Sequence, residues 1–339
     1  MNIQETKKAA VLGTTSWGTT LAILLARKGI IVHLLARTDE EANTLTKAGE
    51  NSRFTPGIPF PDTLTVTSSA KTAISSADVI VIAVPSSTIR ANISRISNFI
   101  KPEAALISAT KGLEITTGMR VTEMISEELK AFWNGTLCVL SGPNLAQEVL
   151  RGKPSTTVIA CDSENQAKKI QGIFSSELFR VYTNNDIVGV ELGGALKNVF
   201  AIGAGICDGM KVGDNAKAAF VTRGLAEMVR LSAAAGGNPL TIAGLAGMGD
   251  MIATCYSELS RNRTVGFKLA SGMELNNLLE SMNQVAEGVV TTAAVVGLSN
   301  RLKVDMPITK CTYGILYENL SIEAAMSGLQ GRDPASEWN

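Results

Sequence analysis

The chain predicts a Rossmann-like, doubly wound α/β fold with a mostly parallel sheet, followed by an all-α C-terminal region. Three observations lead there. Short β-branched runs alternate with amphipathic segments through the first half. Those runs are apolar throughout, as in parallel strands covered on both faces. After about Asn185 the strand-like runs stop, and Ala, Gly, Leu and Met recur at helical spacing. Alternation of this kind builds helices on both sides of one sheet. A chain of 339 residues holds two domains, at roughly 100–200 residues each. The expected division is 1–185 for the sheet and 186–339 for the helices.

The elements follow in order. Ala9–Leu12 reads as a strand, Gly18–Lys28 as a helix closed by Gly29, and Ile30–Leu35 as a second strand. Val79–Val84 is a strand ended by Pro85, with a helix from Ser87. Ala104–Ser108, Leu137–Leu140 and Thr156–Ala160 are further strands. No internal repeat is evident, and the tail from Gly328 to Asn339 is polar.

Composition narrows the function. Lys+Arg and Asp+Glu are both 31, and aromatics are 5%. Such a balance argues against nucleic acid or an anionic membrane as partner. Lys7-Lys8 before an apolar run faintly resembles a secretory signal, but Gly13–Thr20 interrupts that run. No uninterrupted apolar stretch approaches the ~18 residues of a membrane helix, so no membrane insertion is expected. The five cysteines are dispersed, with no C-x-x-C pair. This fits a reducing cytoplasm and indicates no metal site. His33 is the only histidine and lies in an expected strand. A Ser-His-Asp triad and multi-histidine metal centres are therefore disfavoured. Acid–base chemistry falls to lysine and the carboxylates.

Gly13-Thr-Thr-Ser-Trp-Gly18 stands between the first strand and the first helix. A dinucleotide-binding turn has glycines for the tight bend, for approach of the pyrophosphate, and for helix–strand packing. Gly13 and Gly18 are present, but Thr15 replaces the middle glycine. The expectation is that its side chain crowds the pyrophosphate. Helix N–H groups still favour a phosphate there. Arg37, at the end of the second strand, favours or tolerates the 2′-phosphate of NADP.

Lys197 lies in the small-residue segment Glu191–Ile206, with Gly193, Gly194, Phe200 and Ala201 as helical neighbours. Lysine is seldom buried without a partner. Burial lowers its pKa and makes it a proton donor or acceptor. Lys111, at a strand end, adds positive charge and would lower that pKa further. Ser260-Arg261-Asn262 offers donors suited to phosphate, though a helix cap has the same appearance. Asp250 would orient Lys197, accept a substrate hydroxyl or cap a helix.

Taken together, these segments resemble the NAD(P)-dependent glycerol-3-phosphate dehydrogenases of the bacterial type. The resemblance rests on Ser16–Thr19, Asn51–Pro61, Ala109–Gly112, Ser141–Glu148, Gly194–Asn198, Gly247–Asp250 with Thr254-Cys255, Ser260–Asn262 and Val285–Glu287. It implies reversible reduction of dihydroxyacetone phosphate to sn-glycerol 3-phosphate with NADP or NAD, a step that supplies phospholipids. It implies that Lys197 transfers the proton. Gly13, Ser16, Trp17, Gly18, Arg37, Ala146, Val285 and Glu287 would contact the cofactor. Lys111 and Arg261 would serve both cofactor and substrate. Gly142, Asn144, Asp250, Ser260 and Asn262 would contact a small phosphorylated substrate. Two departures stand out: Thr14-Thr15 replaces Ala-Gly, and Asn144 replaces Ser or Thr. Two other readings remain open: a ketopantoate or β-hydroxyacid type of reductase, and a non-catalytic NAD(P) sensor. The Gly/Ala-rich helices can pack within one subunit or between two, so a homodimer is an expectation by analogy.

Overall fold

Lys8–Leu12 (β1) ends in four apolar residues sealed from solvent, and it lies inside the sheet. The computed structural model describes residues 7–130, 133–282, 286–331 and 336–337. Ile31–Leu35 (β2), Leu64–Thr67 (β3), Val79–Ile82 (β4) and Ala105–Ser108 (β5) follow. Leu137–Ser141 (β6), Ser155–Ala160 (β7) and Phe179–Asn184 (β8) complete the sheet. Its order is β3-β2-β1-β4-β5-β6-β7-β8. All pairs are parallel except β6 with β7. The order reverses between β1 and β4, and ligand crevices of open α/β sheets form at such points.

The mostly parallel sheet is as expected, with two additions. The sequence reading omits β3 and β8, which lie at the two edges. Leu64-Thr-Val-Thr67 is short and half polar, and β8 alternates buried and exposed residues. An edge strand needs less apolar surface, so a search for continuous apolar runs passes over it. His33 sits opposite Thr65 in the β2–β3 register and hydrogen-bonds its hydroxyl at 2.7 Å. It is a strand residue, hydrogen-bonded across the sheet.

One apolar layer packs the helices Ser16–Arg27 and Glu164–Phe174 on one face of the sheet. Another packs Ile89–Ile96 and Val121–Leu129 on the opposite face. Beyond β8 the described elements are helical. The helix Ile187–Gly209 is central, and every residue from Gly189 to Ile206 is buried. It is long and apolar enough to cross a membrane by composition, but 89% of its most apolar window is buried within the protein.

Small residues decide how its neighbours cross it. A Cβ on Gly266, in the helix Arg261–Ala270, would stand 1.8 Å from the Ile202 carbonyl oxygen. A Cβ on Gly205 would stand 2.0 Å from that of Arg263. The backbones therefore touch, and this contact carries Arg261 and Asn262 alongside Lys197. Gly266→Ala should gain about 0.5–1 kcal/mol of helix propensity but lose more, on the order of 1–3 kcal/mol, to overpacking. A lower midpoint in equilibrium denaturation is the expected result; an unchanged or higher one would refute the close crossing. Glu191 joins the two halves. Its carboxylate accepts from Arg120 Nη1 (2.7 Å) and from the Thr122 backbone N–H (2.9 Å) and hydroxyl (2.5 Å).

Candidate active site

The first turn after β1 has the shape that its glycines require. Gly13 adopts φ +110°, and a Cβ there would lie 2.7 Å from the Ala83 carbonyl oxygen. A Cβ on Gly18 would lie 2.1 Å from the Gly13 carbonyl oxygen, so only glycine lets the helix start this close to the strand. Thr15 is the N-cap of that helix. Its hydroxyl accepts from Gly18 N–H (3.0 Å) and donates to the Ala83 carbonyl (2.7 Å). The hydroxyl is thus tied back to the protein, which was not part of the crowding expectation.

Beside this turn lies a cleft of about 310 Å³. From the sheet domain it takes Thr15, Ser16 and Trp17, then Ala83–Pro85, Ala109–Lys111 and Asn144. From the helical region it takes Lys197, Asn198, Arg261, Asn262 and Glu287. Two larger hollows, about 1130 and 1080 Å³, contain neither the turn nor Lys197. Volume alone would favour one of those hollows; the convergence of polar groups favours this cleft.

Lys197 is 8% exposed. Its Nζ donates to Asp250 Oδ1 (2.5 Å) and Thr254 Oγ1 (2.7 Å). Lys111 Nζ donates to Asp250 Oδ2 (2.5 Å) and the Gly142 carbonyl (3.1 Å). One carboxylate, 1% exposed, therefore stands between two ammonium groups. Asp250 opens the helix Asp250–Tyr256 without capping it, and Thr254 lies one turn on, on the same face. Burial is the largest influence on Lys197 and lowers its pKa to about 8, with Asp250 opposing and Lys111 assisting.

Glu287 begins the helix Glu287–Leu302, accepts from the Ser86 hydroxyl at 2.8 Å, and has its pKa raised by burial. Arg261 is exposed to the cleft by surface area, yet closely surrounded by protein atoms. That enclosure disfavours its charge, and Glu287 favours it. Asn262 Nδ2 donates to Asn198 Oδ1 (2.9 Å), and Asn262 Oδ1 accepts from Gly288 N–H (3.0 Å). Ser260 is buried and caps the helix Arg261–Ala270 through Arg263 N–H.

Ser16, Trp17, Lys111, Asn144, Lys197, Arg261, Asn262 and Glu287 thus converge on one cleft. Asp250 and Gly142 reach it through the lysines, and Gly13 and Gly18 shape its turn. Arg37 is exposed at the end of β2, with its backbone N–H on Glu41 Oε2 (2.9 Å), and is outside the cleft lining. Ala146 starts the helix Ala146–Leu150, also outside the lining, and Val285 lies outside the described residues. Residue-level reading missed Thr254, and also Asn198 and Arg53, which line the cleft. The spacing of Asp250 and Thr254, four apart in a helix, was the available signal for the first.

Several buried polar atoms have no partner among the described residues, including Trp17 Nε1 and Asn144 Oδ1. Both residues line the cleft. An indole N–H and an amide oxygen without partners, beside a glycine-shaped turn, fit a polar dinucleotide better than an apolar ligand.

The N-terminal family model of NAD-dependent glycerol-3-phosphate dehydrogenase matches residues 8–167, and the C-terminal model matches residues 186–327. This chain belongs to that family. A glycerol-3-phosphate dehydrogenase [NAD(P)+] of Prosthecochloris aestuarii is 48% identical over 327 residues, covering 96% of this chain and 98% of the relative. One from Corynebacterium glutamicum is 44% identical over 97% of this chain and 99% of its own. The solved glycerol-3-phosphate dehydrogenase of Coxiella burnetii has a TM-score of 0.92 at 36% identity, over 96% of this chain and 99% of its own. The chain is an NAD(P)-dependent enzyme of this family, and neither the ketopantoate reductase reading nor the sensor reading stands against these matches.

Proposed function

We propose that this dehydrogenase interconverts dihydroxyacetone phosphate and sn-glycerol 3-phosphate, with Lys197 as the proton-transfer residue. The observation that carries the reading is the Lys111–Asp250–Lys197 cluster beside the glycine-shaped turn in one cleft. Bound NADPH or NADH supplies the hydride. Reduction places negative charge on the carbonyl oxygen, and a fixed ammonium group in a water-poor site stabilises it. An ammonium has three donors. Asp250 and Thr254 take two from Lys197, and the third serves the substrate oxygen. Lys197 then gives up that proton, and its lowered pKa eases the transfer. Asp250 holds both lysines in place, and Lys111 adds a second positive charge.

Arg261 is the proposed phosphate ligand, because a planar guanidinium suits bidentate contact. Asn262 and Ser260 hold it in place more than they reach outward, given their internal bonds. Arg261→Ala should raise KM for dihydroxyacetone phosphate roughly a hundredfold, the scale of a lost charge-assisted contact. Unphosphorylated dihydroxyacetone should be reduced equally slowly by parent and variant. A comparable loss with both substrates would move the phosphate elsewhere. NADPH and NADH oxidation with dihydroxyacetone phosphate tests the whole assignment; no turnover with either would refute it.

Two further parts of the reading are proposals. The five cysteines are dispersed along the chain, with no C-x-x-C pair, which supports a cytoplasmic enzyme. Met248, Ile252 and Tyr256 are four residues apart and 40–49% exposed, and an apolar stripe of this kind supports a homodimer.

A further inference from the structure

We propose that Thr15 is a cofactor-positioning residue whose hydroxyl latches the phosphate turn to the end of β4. The proposal rests on the dinucleotide reading above. Thr15 has φ −64° and ψ 167°, which any L-residue adopts, so its own backbone conformation does not call for glycine. The bond to Gly18 N–H is an ordinary helix cap. The bond to the Ala83 carbonyl is not: it joins the turn after β1 to the neighbouring strand, 68 residues away.

The flanking residues are braced as well. Thr14 Oγ1 donates to Glu41 Oε1 at 2.6 Å, and Asn51 Nδ2 donates to the Thr14 carbonyl at 2.9 Å. Both threonines of the unusual Thr14-Thr15 pair are therefore engaged, each with a different part of the sheet domain. A turn held from three sides loses little freedom when a ligand binds, and that saving offsets the bulk of a side chain where glycine is usual. Trp17, two residues on, has a buried indole N–H with no partner among the described residues. The latch fixes the start of the helix that carries it.

The test compares Thr15→Ser, Thr15→Val and Thr15→Gly with the parent. The readouts are NADPH affinity by calorimetry, amide exchange at Gly18 in the ligand-free protein, and separate KM values for NADPH and dihydroxyacetone phosphate. Thr15→Val and Thr15→Gly, which remove both hydroxyl bonds, should weaken NADPH binding about tenfold, the net scale of one hydrogen bond. They should also speed exchange at Gly18 and raise KM for NADPH but not for the triose phosphate. Thr15→Ser should restore all three. A glycine variant that binds NADPH as tightly as the parent, or more tightly, overturns the latch in favour of an idle or crowding side chain. Failure of serine to restore binding also overturns it. A parent enzyme that binds neither NADPH nor NADH would instead refute the dinucleotide reading, a result distinct from any change between variants.

Discussion

Lys197→Ala is expected to lower kcat for dihydroxyacetone phosphate reduction by roughly a thousandfold or more, the combined scale of lost proton transfer and lost charge stabilisation. Affinity for NADPH should stay within about twofold of the parent, since the phosphate turn is a separate part of the cleft. The pH dependence follows from the lysine pKa of about 8. Reduction needs Lys197 protonated, so its rate should fall as pH rises through about 8. Glycerol 3-phosphate oxidation needs the neutral amine, so its rate should rise through the same region. Steady-state rates in both directions across pH 6–10 check the sign. Residual turnover near the parent level, or parallel limbs in the two directions, would remove Lys197 from the proton path.

The second large effect is expected at Asp250. Its carboxylate is the shared counter-charge of two lysines, one of them buried. Asp250→Asn keeps the shape and removes the charge, leaving two like charges facing each other. Breaking a buried pair in this way costs about 3–5 kcal/mol. The expected result is a lower denaturation midpoint at pH 7 and a large loss of kcat. A diagnostic change should appear in the pH profile. Asp250 is what opposes burial and Lys111 at Lys197, so without it the alkaline limb of reduction should move to lower pH. A purely structural role would reduce stability and rate without moving that limb. An unmoved limb would therefore reduce Asp250 to a scaffold residue.

The parts of this molecule that were legible in its sequence are those set by local pattern. Continuous apolar runs marked the interior strands, and Gly13 and Gly18 marked the turn, because both follow from near-neighbour sterics and burial. The edge strands β3 and β8 were not legible, since partial exposure dilutes the pattern. The small residues around Lys197 signalled a close approach, and the structure fills it with backbone: a Cβ on Gly193 would stand 2.6 Å from the Ala246 carbonyl oxygen. Ser260 was ambiguous between cap and ligand, and the fold makes it a cap.

By itself, the sequence determined the interior strands and the change to helices after about Asn185, the phosphate turn and its missing glycine, and the presence of an anomalous lysine in an apolar helix. Only the tertiary structure decided what that lysine meets. Asp250 is 53 residues from Lys197 and 139 from Lys111, and Asp250 and Lys111 each read alone as a common residue in a common place. Coulombic coupling depends on distance and on exclusion of water. Neither quantity exists until the helices cross, and it is the crossing that turns two lysines and one aspartate into a single ion-paired cluster.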